Sequence, residues 1–150
     1  MEISKTGLDF IKKQEGEVLT AYRDSAGVWT IGVGHTKTAR RGMTITSAES
    51  SELLNKDLDE AEKAVNRVIK VAINQNQFDA LVSLTFNIGT DALAQSSLVR
   101  YLNIKNYVEA GKRFLLWNKI TKVIKGRKVA IELKGLTKRR EREKALFETK

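Results

Sequence analysis

The chain has 150 residues, 41% of them hydrophobic and 30% charged, with no cysteine, no proline and a formal net charge of +9. That length suffices for one sizeable core, the apolar content excludes wholesale disorder, and the missing cysteines exclude disulfides and thiol chemistry. The excess of cations favours a polyanionic partner such as nucleic acid, anionic lipid or bacterial cell wall, and it selects a partner class without naming a reaction.

The first residues, Met1 to Lys13, carry charges where a signal peptide has its apolar centre, and no small-residue cleavage site follows. Leu8 and Ile11 are spaced for a short helix that ends at Glu15. From 17 to 38 the composition shifts to Gly, Thr and Val with period-two features at Val28, Thr30, Gly32 and Gly34, which predicts a small antiparallel sheet. Asp24-Ser25-Ala26-Gly27 supplies its turn, because Asp bonds local backbone and Gly accepts a positive φ.

Glu15, Asp24, Thr30 and His35 thus gather around one hairpin. Two carboxylates in unlike surroundings are what glycosidic cleavage needs: one proton donor to the leaving oxygen and one anion near the developing positive charge. The same two residues also read as a turn former and a solvated helix-end charge, and spacing alone does not choose between these readings. His35 is the only histidine, too few donors for a zinc site in a chain without cysteine. No metal and no cofactor are expected. Trp29, beside Thr30, either faces a substrate or packs under the sheet.

Beyond residue 45 helices dominate. Thr46 and Glu49 form a capping box, and Leu54, Leu58, Ala61, Val65 and Val68 follow on one face of a long helix. The expected organisation is one α+β, mostly helical domain over 1–150: a mixed lobe (1–45), a connecting helix (46–70) and a helical lobe (71–150), with ligands bound in the cleft between lobes. The longest apolar stretch, Ala80 to Phe86, is too short to cross a bilayer. Phe78, Leu81, Val82, Thr85 and Phe86 predict a helix stopping at Gly89. Ser97 is expected to cap a helix through Leu102, and Tyr107, Ala110, Phe114 and Trp117 to form a further helical stripe whose aromatics are core. Ile120 to Leu133 alternates charge with aliphatic residues around Gly126, as either a basic hairpin or an excursion from the helical lobe. Basic residues are densest from Lys138 to Lys144, where Arg139 and Arg140 read as a solvated helix face with Glu143 as an in-helix partner.

The array Glu15-x8-Asp24-x5-Thr30, in a run ending Thr30-Ile31-Gly32-x-Gly34-His35-Thr36, resembles the signature of the phage-type lysozymes, the endolysin muramidases of glycoside hydrolase family 24. The resemblance continues through Phe86-Asn87-Ile88-Gly89, Ser97 to Asn103, Trp117-Asn118 and Gly135 to Glu143, and so covers nearly the whole chain. It implies a lysozyme-like fold, with Glu15 as general acid, Asp24 as the carboxylate that positions water and stabilises charge, and Thr30 as the hydroxyl assisting that water. It further implies Trp29, Gly34, Asn87 and Arg139 as substrate-binding residues, with one of Arg139 and Arg140 pointing into the cleft near Glu15. His35 would anchor the hairpin to the following helix through Asp57; otherwise it lies on the surface.

The reaction so implied is inverting hydrolysis of the β-1,4 bond between N-acetylmuramic acid and N-acetylglucosamine by a monomer. The partner is bacterial peptidoglycan, with anionic cell-surface polymers or the outer membrane as further partners and no specific nucleic acid. The enzyme would wait in the host cytoplasm for a separate membrane pore protein. Two rivals are a lytic transglycosylase on the same bond and a non-catalytic basic module that binds wall or nucleic acid on a lysozyme fold. An intact Glu15, Asp24 and Thr30 weighs against both.

Overall fold

In the computed structural model, which describes residues 1–150, the first helix, α1 (Lys5–Glu15), buries Gly7 and Ile11. Lys12 and Lys13 stand in its last turn, where cations suit the negative end of the helix dipole. The helix closes on Gly16, whose φ of 75° lets its N–H reach the Lys12 carbonyl at 2.8 Å. Glu15 is therefore the last helical residue.

The strands β1 (Val18–Arg23) and β2 (Trp29–Gly32) pair antiparallel, with Tyr22 opposite Thr30 and Arg23 opposite Trp29. The other edge of β1 is covered by an extended segment: Ala21 N–H donates to Met43 O and Ile45 N–H to Leu19 O, each at 2.9 Å. The long helix α2 (Ser47–Val68) opens on the reciprocal Thr46–Glu49 box, with both bonds at 3.1 Å. Leu54, Leu58, Ala61 and Val65 are buried along its length. Lys5–Glu60 forms one compact unit, and Met1–Ser4 with Ala61–Lys150 forms a second, so the division falls within α2.

In the second unit α3 (Gln75–Ile88) is the central element: every residue from Phe78 to Thr85 is buried. A helix covered on all sides must satisfy its polar side chains internally. Asp79 does so by accepting from the backbone N–H of Ser4 at 3.1 Å and from the Ser4 hydroxyl, which ties the N-terminal residues to this unit. Gly89, φ 96°, ends α3 with its N–H on Thr85 O at 2.8 Å.

After α4 (Thr90–Ala94) comes α5 (Ser97–Asn103). Its cap is Ser96 and not Ser97: Ser96 has extended backbone and its hydroxyl accepts from Val99 N–H, whereas Ser97 is already helical. The stripe expected from Tyr107 to Trp117 is also interrupted. Here α6 (Tyr107–Arg113) gives way to a single 3-10 turn, Phe114–Leu116, and Trp117 lies outside it. The tighter turn brings Phe114 into the core against Phe147, ring centroids 5.2 Å apart, and leaves Trp117 half-buried.

The segment left open by its pattern is a hairpin. The strands β3 (Lys119–Ile124) and β4 (Arg127–Glu132) pair in continuous register across Lys125 and Gly126, whose φ values of 51° and 77° suit a two-residue turn. The last helix, α7 (Lys134–Phe147), buries Arg139, Arg140, Glu143 and Phe147. No helix is long and apolar enough to cross a membrane.

Candidate active site

The unit Lys5–Glu60 holds Glu15, Asp24, Thr30 and Gly34 together. Asp24 sits at the mouth of the β1–β2 hairpin, where its Oδ1 accepts from the N–H groups of Ala26 and Val28, both at 2.9 Å. Gly27 N–H closes the turn on Asp24 O at 2.9 Å. These bonds are the reason Asp is used here, since its short side chain reproduces a turn of backbone. They occupy one carboxylate oxygen and leave Oδ2 out of the turn.

Val28 O is shared. It accepts from Asp24 N–H at 2.9 Å and from the Thr30 hydroxyl at 3.0 Å. One carbonyl thus locates both residues, and it consumes the hydroxyl proton of Thr30. What remains on Thr30 Oγ1 is acceptor capacity. Thr30 itself is only 4% exposed.

After β2 the chain reverses through Gly32 (φ 65°) and Gly34 (φ 67°), and Ile31 and His35 exchange both backbone bonds across this loop, at 2.9 and 3.0 Å. Gly32 is held for two reasons, because a methyl there would also meet the buried Ser50 Oγ at 2.9 Å. At Gly34 a methyl would stand 3.5 Å from Glu15 Oε2. The half-buried carboxyl of Glu15 therefore lies beside the backbone of this loop.

His35 is 4% exposed, with Nδ1 at 2.7 Å from Asp57 Oδ2 and Nε2 at 2.7 Å from Thr38 Oγ1. A carboxylate only accepts, so Nδ1 carries the hydrogen. Thr38 N–H donates to Nε2 at 3.2 Å. The ring joins the glycine loop to α2 and is not on the surface. Trp29 is half-buried, and the Arg23 guanidinium lies over its ring at 5.1 Å from the centroid.

Asn87 and Arg139 belong to the other unit. Asn87 is exposed at the end of α3, and its Oδ1 accepts from Arg140 Nη2. With Trp117 and Lys119 it lines a pocket of about 440 Å³ at the foot of the β3–β4 hairpin. Arg140 is fully buried and donates also to Trp117 O at 2.9 Å and to Glu143. Glu143, equally buried, accepts from Ser83 and from Arg139 Nε at 3.4 Å. Arg139 and Arg140 are consequently interior residues, and the solvated-face reading of them fails. This ionic cluster between α3 and α7 had a signal in the sequence: Leu136, Arg140, Glu143 and Phe147 repeat at the four-three-four spacing of a core face. Charged residues at two of the positions concealed it.

The Phage lysozyme family model matches residues 12–143. The chain is 48% identical to the endolysin of Salmonella phage P22, with 98% of each chain covered. Among solved structures it is similar to the endolysin from Escherichia coli O157:H7 phage FAHEc1, with a TM-score of 0.91, 41% identity and coverage of 99% of this chain and 94% of that one. It is also similar to the muramidase domain of SpmX from Asticaccaulis excentricus, with a TM-score of 0.89, 38% identity and 99% of both chains covered.

Proposed function

Because the chain belongs to the phage lysozyme family and is an endolysin of the muramidase type acting on peptidoglycan, we propose that Glu15, Asp24 and Thr30 carry the hydrolysis and that water is its nucleophile. Glu15 as a carboxylic acid gives its proton to the glycosidic oxygen, and the bond from that oxygen to the anomeric carbon of N-acetylmuramic acid breaks. Water donates one hydrogen to Asp24 Oδ2 and the other to Thr30 Oγ1, which points its free lone pair at the anomeric carbon. As the new C–O bond forms, the water's proton passes to Asp24.

The observation that supports this reading is the shared Val28 carbonyl, which locates Asp24 and Thr30 and leaves both as acceptors. A water held by two acceptors has its lone pairs turned outward, the arrangement that attack from the face opposite the leaving group requires. Attack by such a water inverts the anomeric centre, and it needs Glu15 and Asp24 about 6.5–9.5 Å apart to leave room for it. Trp29 and Gly34 of the one unit and Asn87 of the other are each proposed to contact the glycan, Arg139, only 7% exposed, to support its unit from the interior through Glu143, and His35 with Asp57 to fix the loop that carries Gly34.

A lytic transglycosylase has no use for this pair of acceptors, since the muramic acid 6-hydroxyl attacks in place of water. Mass spectrometry of digested wall tests the difference. Muropeptides with free reducing ends are expected, heavier by one water than the anhydro forms; spectra dominated by anhydro ends would sink the hydrolytic assignment. A single turnover in ¹⁸O-labelled water followed by anomeric NMR reads the stereochemistry.

A further inference from the structure

The β3–β4 hairpin is a cationic and aliphatic projection that the hydrolysis does not use. Every residue from Thr121 to Ala130 is exposed, and the two strands pair only with each other. In its outer half each of three successive cross-strand pairs sets an aliphatic residue against a cation: Lys122 opposite Val129, Val123 opposite Lys128, and Ile124 opposite Arg127. Lys125 stands in the turn, and no acidic residue occurs between Lys119 and Glu132. Val123 is 69% exposed, Ile124 47% and Val129 38%.

Directly paired residues share a face and successive pairs alternate faces. Both faces therefore carry aliphatic carbon beside positive charge, with nothing folded over either. A short two-stranded hairpin gains no core from these three side chains, so their exposure has no structural explanation within the unit. The foot of the hairpin differs: Ile120 and Ile131, paired with each other, are half-buried and hold it to the rest of the unit.

From this we infer that the hairpin tip is a docking element for an anionic lipid surface, with Lys122, Lys125, Arg127 and Lys128 on headgroup phosphates and Val123, Ile124 and Val129 in the acyl boundary. Charge complementarity selects the anion, and the aliphatic residues select lipid among anions. Single-stranded nucleic acid is held on aromatic faces, of which the segment from Lys119 to Glu132 has none, and a duplex held through its phosphates makes no use of exposed aliphatic side chains. Lysine and arginine stems reach along apolar surface while their heads stay with phosphate, which is how a mixed cation–aliphatic tip settles at an interface.

The test is sedimentation of the full chain with vesicles of phosphatidylglycerol and phosphatidylethanolamine, against vesicles of phosphatidylcholine alone. Binding to the anionic vesicles only is expected, and K125Q/R127Q/K128Q should weaken it about a hundredfold. V123S/I124S/V129S should weaken it about tenfold or more at unchanged charge. Both variants should keep parental activity on soluble neutral oligosaccharides of the wall glycan, which also shows them folded. If the serine variant binds as the parent does, adsorption is purely electrostatic and the docking tip is refuted. Loss of activity on lipid-free peptidoglycan by the folded serine variant, whose charge is unchanged, would make the hairpin a wall-gripping element and overturn the inference equally. The muramidase reading is untouched either way, because the vesicles contain no glycan and Glu15→Gln should bind them as the parent does.

Discussion

At Asp24 the two possible roles of the residue, turn former and catalytic anion, are separable because they use different atoms. The turn needs a side-chain oxygen that accepts from Ala26 and Val28 N–H, and an amide oxygen accepts as well as a carboxylate oxygen. Asp24→Asn is therefore expected to keep the hairpin and lose the anion, lowering kcat by about 10²–10⁴-fold with an unchanged circular dichroism spectrum. A folded variant with near-parental turnover would reduce Asp24 to its structural role. Glu15→Gln keeps shape and hydrogen-bonding capacity but has no proton of adequate acidity to give. A drop of about 10²–10⁴-fold on solubilised peptidoglycan is expected, and near-parental clearance would remove Glu15 from the mechanism.

Among the elements, α3 and α7 are joined by an interaction whose worth depends on its being complete. Glu143 is buried with Arg140, Arg139 and Ser83 around it, and removing one partner of a buried ion pair leaves an uncompensated charge. Glu143→Ala should cost about 3–5 kcal/mol in urea unfolding, by stranding the fully buried Arg140. Arg139→Ala should cost clearly less, because Glu143 keeps Arg140 and Ser83. Equal losses in the two variants would mean that the cluster depends on Arg139 as much as on Glu143, against the primacy of the Arg140 pair. The cluster also sets the mouth of the neighbouring pocket, since Arg140 holds Asn87 on one side and the Trp117 carbonyl on the other.

For the molecule as a whole, the net charge of +9 acts at long range. The interior placement of Arg139 and Arg140 removes part of the densest basic run from the surface, so the long-range attraction comes from the cations that remain exposed along the chain. Attraction to an anionic wall is screened over about 10 Å at 0.1 M salt. Clearance of wall suspensions should fall steeply as salt rises from low values, while cleavage of soluble neutral oligosaccharides should change little. Equal sensitivity on both substrates would place the effect at the reacting groups and not in wall association.

The sequence by itself determined what depends on neighbours along the chain. The Asp24–Gly27 turn, the Thr46–Glu49 box, the Gly89 stop and the end of α1 at Glu15 are all settled within a few residues, by backbone freedom and local hydrogen bonds, and each is found where the pattern put it. Even the Ser96 cap was displaced by only one position. The family was legible because several short motifs recur in one order. What only the tertiary structure decided were pairings between residues far apart in the chain: Asp79 with Ser4, Glu143 with Ser83, Arg140 with Asn87, and the 3-10 turn that seats Phe114 on Phe147. The physical reason is that a charged residue at a core-spaced position reads as solvated until its partner is known. Burial of an ion is decided by what stands opposite it, and no local pattern records that.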